Sequence, residues 1–162
     1  MNIIRVKTPQ EIDEVRRLFR EYEAFLNVDL CFQQFEAELA NLPGKYAPPS
    51  GTLLLAMDGR KAVGCGALRS LGSGQNLTCE MKRLYVRPEA RGLGVGKIIV
   101  RRLIQEGVHL GYTAMVLDTL ERLEAAIHLY ELLGFTRIQP YYDNPLPDVA
   151  YWKLELSGQP TN

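Results

Sequence analysis

The sequence predicts an α+β (mixed α/β) fold with the element order βααββββαβαββ. Three observations predict it. Strand-patterned segments separated by turn residues fill the stretch from Thr52 to Val86. From there the pattern changes to strand, helix, strand, helix, which requires a mixed sheet. A glycine-rich segment, Arg91-Gly92-Leu93-Gly94-Val95-Gly96, joins one strand directly to the next helix. With 162 residues the chain can bury roughly 68–70 per cent of its unfolded surface around one core. Residues 1–157 therefore read as a single domain, and 158–162 as a frayed tail.

Taken in order, Ile3 to Val6 reads as a first strand. Thr8-Pro9 then starts a helix through Val15, Leu18, Phe19, Tyr22, Phe25 and Leu26 at helical spacing. A second helix is expected from Gln33 to Asn41, stopped by Pro43-Gly44, followed by a loop over Lys45 to Gly51. These segments are placed to shape a substrate mouth. Thr52 to Met57 and Lys61 to Leu71 form a hairpin around Asp58-Gly59-Arg60, where Gly supplies the positive φ of a tight turn. Gly72-Ser73-Gly74-Gln75-Asn76 makes another turn, and Leu77 to Val86 returns as a third antiparallel strand. Val95 to Leu110 is helical, Thr113 to Thr119 a strand, and Glu121 to Leu133 helical with Gly134 as its cap. Phe135 to Gln139 and Val149 to Leu156 pair as a final hairpin.

Bulk properties exclude several function classes. Lys plus Arg equals Asp plus Glu at 19 each, so no long-range positive field gathers nucleic acid. Cys31, Cys65 and Cys79 are odd in number without a Cys-x-x-Cys pair, and His109 and His128 are the only histidines. Neither a disulfide framework nor a metal site is expected, and the thiols read as reduced and mostly buried. The start Met1-Asn2-Ile3-Ile4-Arg5 lacks a signal pattern and no apolar run reaches membrane-spanning length, so the expected location is cytoplasmic, away from membranes.

The glycine segment carries the chemistry. Glycines at 92, 94 and 96 let a ligand approach the backbone, and the first N–H groups of the following helix lack intrahelical partners. The helix dipole adds positive character, and Arg91 can fork onto phosphate oxygens. A Walker loop ending at Gly96-Lys97 would need Gly at 91 and Ser or Thr at 98, where Arg91 and Ile98 stand. A dinucleotide fingerprint would need a glycine at Lys97 or Ile99. A diphosphate cradle of another kind remains.

Arg-x-x-Gly-x-Gly following a strand that ends Val86-x-Pro88 resembles the coenzyme A pyrophosphate loop of the GNAT superfamily of acyl-CoA-dependent N-acetyltransferases. Ala126-x-x-x-Tyr130-x-x-x-Gly134-Phe135 resembles that superfamily's next motif, and the two cover roughly Glu80 to Phe135. The resemblance selects a GNAT-like arrangement: a central mixed, mostly antiparallel twisted sheet of about seven strands flanked by helices. It implies acetyl-CoA as cosubstrate with no metal. The backbone at Leu84, Tyr85 and Val86 would pair with the pantetheine arm, and Arg91, Gly92, Leu93, Gly94, Val95, Gly96 and Lys97 would hold the diphosphate. It also implies direct attack by a primary amine in a ternary complex.

The same resemblance makes Glu80, eleven residues before Arg91, the water-mediated base, and Tyr130 the acid that protonates the departing sulfur. On residue chemistry alone, Glu80 reads first as an ion-pair partner for Lys82, Arg83 or Lys61. Strand alternation places Glu80, Lys82, Leu84 and Val86 on one face, with Met81, Arg83 and Tyr85 on the other. A phenol of ordinary pKa near about 10 is protonated at neutral pH, so Tyr130 suits an acid, although an amphipathic helix also uses tyrosine as core. Asp118 and Thr119, at the carboxyl end of a strand, fall where ligands collect in parallel sheets, with a helix cap the alternative for Thr119. Tyr141, Tyr142 and Asn144, in a proline-bounded loop, and Tyr22 from the first helix are candidate acceptor contacts. Tyr151 and Trp152 either pack or line the acceptor side. The acceptor is expected to be a small molecule; a protein or peptide amine and a non-catalytic acyl-CoA-binding module are the alternatives, and a homodimer is compatible with all three.

Overall fold

The computed structural model describes residues 1–72 and 77–159. The expected turn at 72–76 lies outside them from Ser73 on, as do residues 160–162 of the expected tail. The elements are β1 (Asn2–Arg5), α1 (Pro9–Leu26), α2 (Phe35–Ala40), β2 (Thr52–Asp58), β3 (Lys61–Ser70) and β4 (Thr78–Val86), then α3 (Val95–His109), β5 (Ala114–Leu120), α4 (Glu124–Leu132), β6 (Thr136–Ile138) and β7 (Val149–Glu155). Three strands stand between α2 and α3, at the three segments read from the sequence and one fewer than the expected order counts, for seven strands in all. All seven join one sheet in the order β1-β2-β3-β4-β5-β7-β6, antiparallel except where β4 meets β5.

Local chemistry sets the element ends. At α1, Thr8 Oγ1 accepts from the Glu11 N–H (3.2 Å) while Glu11 Oε2 accepts from the Thr8 N–H (2.9 Å), a reciprocal cap with Pro9 in the first turn. Asn27 closes the helix in the left-handed region at φ 53°. The second helix is shorter than expected because Gln34, also left-handed at φ 56°, separates it from a 3₁₀ turn at Cys31–Gln33. Helix α4 begins three residues late because Glu121 still belongs to the sheet margin, its N–H donating to the Asp148 carbonyl at 2.7 Å.

Period-two alternation divides the core between the two faces of the sheet. In β2, Leu54 and Ala56 join the cluster under α3 and α4, while Leu53 and Leu55 join the cluster under α1 and α2. Four apolar side chains of α1 are buried, Val15, Leu18, Phe19 and Leu26; each contributes about 1.5–3 kcal/mol by leaving water. Helix α3 lies close over β3 because Gly64 and Gly66 present no side chain to it. A Cβ on Gly66 would stand 2.7 Å from Ile99 Cγ2 and 2.9 Å from Leu103 Cδ1.

Opposite Gly66, β4 carries an extra residue. The register runs Ala67↔Lys82 and then Cys65↔Tyr85, so Arg83 and Leu84 together face one position of β3. Arg83 sits at φ 61°, a region costly for an L side chain. The bulge overturns the simple alternation expected for this strand. Met81, Leu84 and Val86 pack toward the α3 cluster, whereas Tyr85 joins the α1 cluster and Arg83 lies against Phe35 and Glu38 of α2. Lys82 and Arg83, although adjacent, therefore both approach the α1 and α2 side, where Lys82 meets Gln33 and Arg83 meets Glu38. Gly66→Ala is expected to lower stability by about 1–3 kcal/mol through overpacking against α3, read as a lower urea midpoint with an unchanged slope.

Candidate active site

Strands β4 and β5 pair only at Thr78↔Ala114, Cys79↔Met115 and Glu80↔Val116. Beyond Val116 the two strands part, and the facing edges from Met81 to Val86 and from Leu117 to Leu120 line a cleft of about 510 Å³. An open strand edge presents unpaired N–H and C=O groups and accepts an extended ligand as if it were another strand. Leu84, Tyr85 and Val86 stand on that edge, with the Val86 carbonyl already accepting from Arg91 Nε at 2.9 Å. The ring of Phe25, read as a core position of α1, is instead 44% exposed at the cleft mouth and carries the Arg91 guanidinium 4.5 Å from its centroid. Arg122, whose side chain donates to the Leu26 carbonyl, ties the end of α1 to the opposite wall.

The cleft ends at the amino terminus of α3. The first helical bond there runs from the Ile98 N–H to the Gly94 carbonyl (3.1 Å), and no side chain caps the helix. The N–H groups of Val95, Gly96 and Lys97 therefore keep their hydrogen-bonding capacity, in the field of the helix dipole. Gly92 and Gly94 both take φ 79°, and nothing lies within 4 Å of where their Cβ atoms would be. Gly96, backed by Leu129 and Val86, lines the cleft together with Arg91. Leu93, at 68% exposed, flanks it on the outside. This is an open concave row of donors suited to a diphosphate.

On the α4 wall, Tyr130 is buried against Phe135 (ring centroids 5.7 Å apart) and also lines the cleft. Burial pushes its phenol well above the ordinary tyrosine range, so it remains a proton donor at neutral pH. Tyr22 of α1 faces the same space and is pushed up to about 12 by desolvation. Asp118 and Thr119 line the cleft from within β5. Thr119 does not cap a helix, because β5 continues to Leu120 and α4 starts only at Glu124.

A second chamber, about 730 Å³, opens on the α2 side and meets the first at Gln33, Lys82 and Arg83. Glu80 lines this chamber and is 1% exposed. Its Oε1 accepts from Arg69 Nε at 2.8 Å and its Oε2 from the Tyr141 hydroxyl at 2.6 Å. Of the expected partners, Lys82 forms a long ion pair to Glu80 (Nζ to Oε1 3.9 Å), whereas Arg83 binds Glu38 through both oxygens (2.9 and 3.1 Å) and Lys61 binds Glu89; the close partner is Arg69, which was not expected. Tyr142 donates to Asp118 Oδ2 at 2.5 Å, and Asn144 Nδ2 donates to the same oxygen at 3.2 Å. The polar groups of the 141–144 loop therefore hold the two site carboxylates. Tyr151 meets the rings of Tyr141 and Tyr142 edge-to-face (centroids 5.3 and 5.7 Å apart), while Trp152 belongs to the core.

Cys65 and Cys79 are buried, and Cys31 is exposed. Burial raises both buried thiols, Cys79 to about 12, so neither offers a thiolate. His109 and His128 lie exposed on α3 and α4. Among the described residues no cluster of three or more His, Cys, Asp or Glu could hold a metal ion, and no helix is long and apolar enough to cross a membrane.

A sheet split between two parallel strands, with an uncapped helix amino terminus closing the split, defines a class of fold built to hold an extended, phosphate-bearing ligand. Residues 12–135 match the Acetyltransferase (GNAT) family. An uncharacterised N-acetyltransferase of Schizosaccharomyces pombe is 47% identical over 158 residues, covering 97% of this chain and 96% of that protein. Among solved structures, a GNAT-family acetyltransferase of Staphylococcus aureus Mu50 superposes with TM-score 0.78 at 20% identity, covering 96% of this chain and 98% of the other. A structure of yncA from Salmonella typhimurium, a putative acetyltransferase with its cofactor acetyl-CoA, superposes with TM-score 0.70 at 21% identity, covering 99% and 96%. The chain belongs to the GNAT family and is an N-acetyltransferase.

Proposed function

We propose that this protein moves the acetyl group of acetyl-CoA to the primary amine of a small molecule by direct attack within a ternary complex. The single observation that carries this reading is the junction of two chambers across β4. One has an open strand edge and a phosphate-binding helix end, and the other is walled by polar and charged side chains. The fit for coenzyme A rests on the cradle at Gly92 to Lys97, where side chains are absent and N–H donors converge. Leu84, Tyr85 and Val86 supply backbone groups for the pantetheine arm. When bound, the thioester supplies an activated acetyl carbon.

The chain's own residues then have two protons to move as a C–N bond forms and a C–S bond breaks. Glu80 takes the amine proton through water, with the Tyr141 hydroxyl at 2.6 Å as a neighbour able to relay it. Tyr130 donates its phenolic proton to the departing sulfur, a role suited to a group held neutral by burial. No residue forms a covalent bond to the acetyl group. The acceptor is small in this reading because α2, the turn at Gly44–Tyr46 and the 141–143 loop enclose its chamber.

Two variants test the reading. Gly94→Asp sets a carboxylate against a bound phosphate; two like charges at about 4 Å repel by about 4 kcal/mol at an effective dielectric of 20. Calorimetry is expected to show coenzyme A affinity at least about tenfold weaker, and unchanged affinity contradicts the cradle. Tyr130→Phe is expected to lower kcat by about 10²-fold or more with coenzyme A affinity within about twofold of the parent. Equal turnover by the two proteins contradicts the acid assignment.

A further inference from the structure

Lys82 is the buried cation that the assembled site pairs most weakly. Its side chain is only 9% exposed, and an ammonium out of water is costly unless a counter-ion or several acceptors meet it. The buried or half-buried cations beside it in the chamber are matched: Arg69 holds Glu80 at 2.8 Å, and Arg83 holds both oxygens of Glu38, while Lys45 on the chamber rim is exposed to water. Lys82 Nζ has a single hydrogen bond, 3.3 Å to Gln33 Oε1, and its nearest carboxylate oxygen, Glu80 Oε1 at 3.9 Å, is the one Arg69 already occupies. An ammonium has three donors. Burial is the first cause of a lowered Lys82 pKa, opposed by Glu80 and Asp118 and reinforced by Arg83 and Arg69.

Across the junction stands the converse group. Asp118 forms no ion pair among the described residues; its Oδ2 receives only the neutral donors Tyr142 and Asn144, and no bond is made to Oδ1. Asp118 and Lys82 both line the cofactor cleft, and Lys82 also lines the acceptor chamber. One carboxylate held only by neutral donors therefore faces the cleft between β4 and β5, and one ammonium with only a long, shared ion pair stands where the two spaces meet.

We propose that the acceptor is a zwitterionic amino acid, its carboxylate bound by Lys82 and its ammonium directed by Asp118 toward the cleft. This rests on acetyl transfer being the chemistry of the site. The carboxylate replaces water around Lys82 with a charge-assisted hydrogen bond, and Gln33 steers the ammonium of Lys82 from the opposite side. The substrate ammonium must lose a proton before it attacks, and that proton follows the water path to Glu80. Polycationic amines fit poorly, because they would bring further positive charge against Lys82, Arg69 and Arg83.

The test compares each of the common amino acids with the amine left after removal of its carboxylate, such as phenylalanine with phenethylamine, leucine with isoamylamine and lysine with cadaverine. Free thiol released from acetyl-CoA is the readout. At least one amino acid is expected to exceed its carboxylate-free partner tenfold or more in kcat/KM, through KM. In Lys82→Met that ratio is expected to fall to within about twofold, and in Lys82→Arg to survive in part, with acetyl-CoA affinity by calorimetry reporting that each variant is folded. Carboxylate-free amines used equally well or better, or a ratio unchanged in Lys82→Met, overturn the inference while acetyl transfer stands. No thiol release with any amine overturns both.

Discussion

Parallel pairing between β4 and β5 lasts for three residue pairs and then stops, and most of the site follows from that interruption. Two strands that begin in register at Thr78 and Ala114 diverge while each stays paired on its far side, β4 with β3 and β5 with β7. The sheet remains continuous at one end and open at the other. Backbone groups that would otherwise satisfy each other instead face a cleft, and a buried polar edge of that kind is stable only if a ligand or solvent meets it. The loop from Arg87 to Gly94 then lays the start of α3 across the open end, so strand edge and helix dipole address the same space.

The bulge in β4 gives the cleft its second property. By inserting a residue opposite Gly66, it sets Lys82 and Arg83 toward the same layer and turns Leu84 and Val86 toward α3. Arg83 is held in its costly backbone conformation by a two-pronged bond to Glu38 and by the face of Phe35, with its guanidinium 5.2 Å from the ring centroid. That anchor joins α2 to the strand at the point where the two chambers meet. The two chambers thus meet at Gln33, Lys82 and Arg83.

Local signals were legible in the sequence and long-range ones were not. The Thr8-Pro9-x-Glu11 start, the Asp58-Gly59 turn and the strand-to-helix glycines are each written within a few residues, and the structure follows them. The role of the Arg91 to Gly96 loop came from motif chemistry together with family resemblance. The bulge was hidden because it is a property of how β4 pairs with β3 at Gly66 and not of the β4 sequence alone, and strict alternation therefore misplaced the faces of Glu80 to Val86. Glu80 could be seen as a base or an ion-pair member, but its partners Arg69 and Tyr141 are 11 and 61 positions away and only the sheet brings them together. Lys82 stands between Glu80 and Arg83 in the strand, and nothing local tells which cation takes which carboxylate; its lack of a close, dedicated carboxylate depends on Arg69 holding Glu80 and Arg83 holding Glu38. Phe25 satisfied helical periodicity and still faces solvent, since Arg91 rather than the core covers its ring.

The central claim is that a diphosphate and an extended thiol arm occupy the opening between β4, β5 and α3. Backbone amide resonances followed by NMR during titration with coenzyme A test it most directly, with inorganic pyrophosphate as a second titrant. The account predicts shifts for Leu84 to Val86, Leu117 to Thr119 and Gly92 to Lys97 with coenzyme A, and for Gly92 to Lys97 alone with pyrophosphate. Saturable shifts confined to β1, β2 or the outer face of α1, or no shift at Gly94 to Lys97 with either titrant, would contradict it.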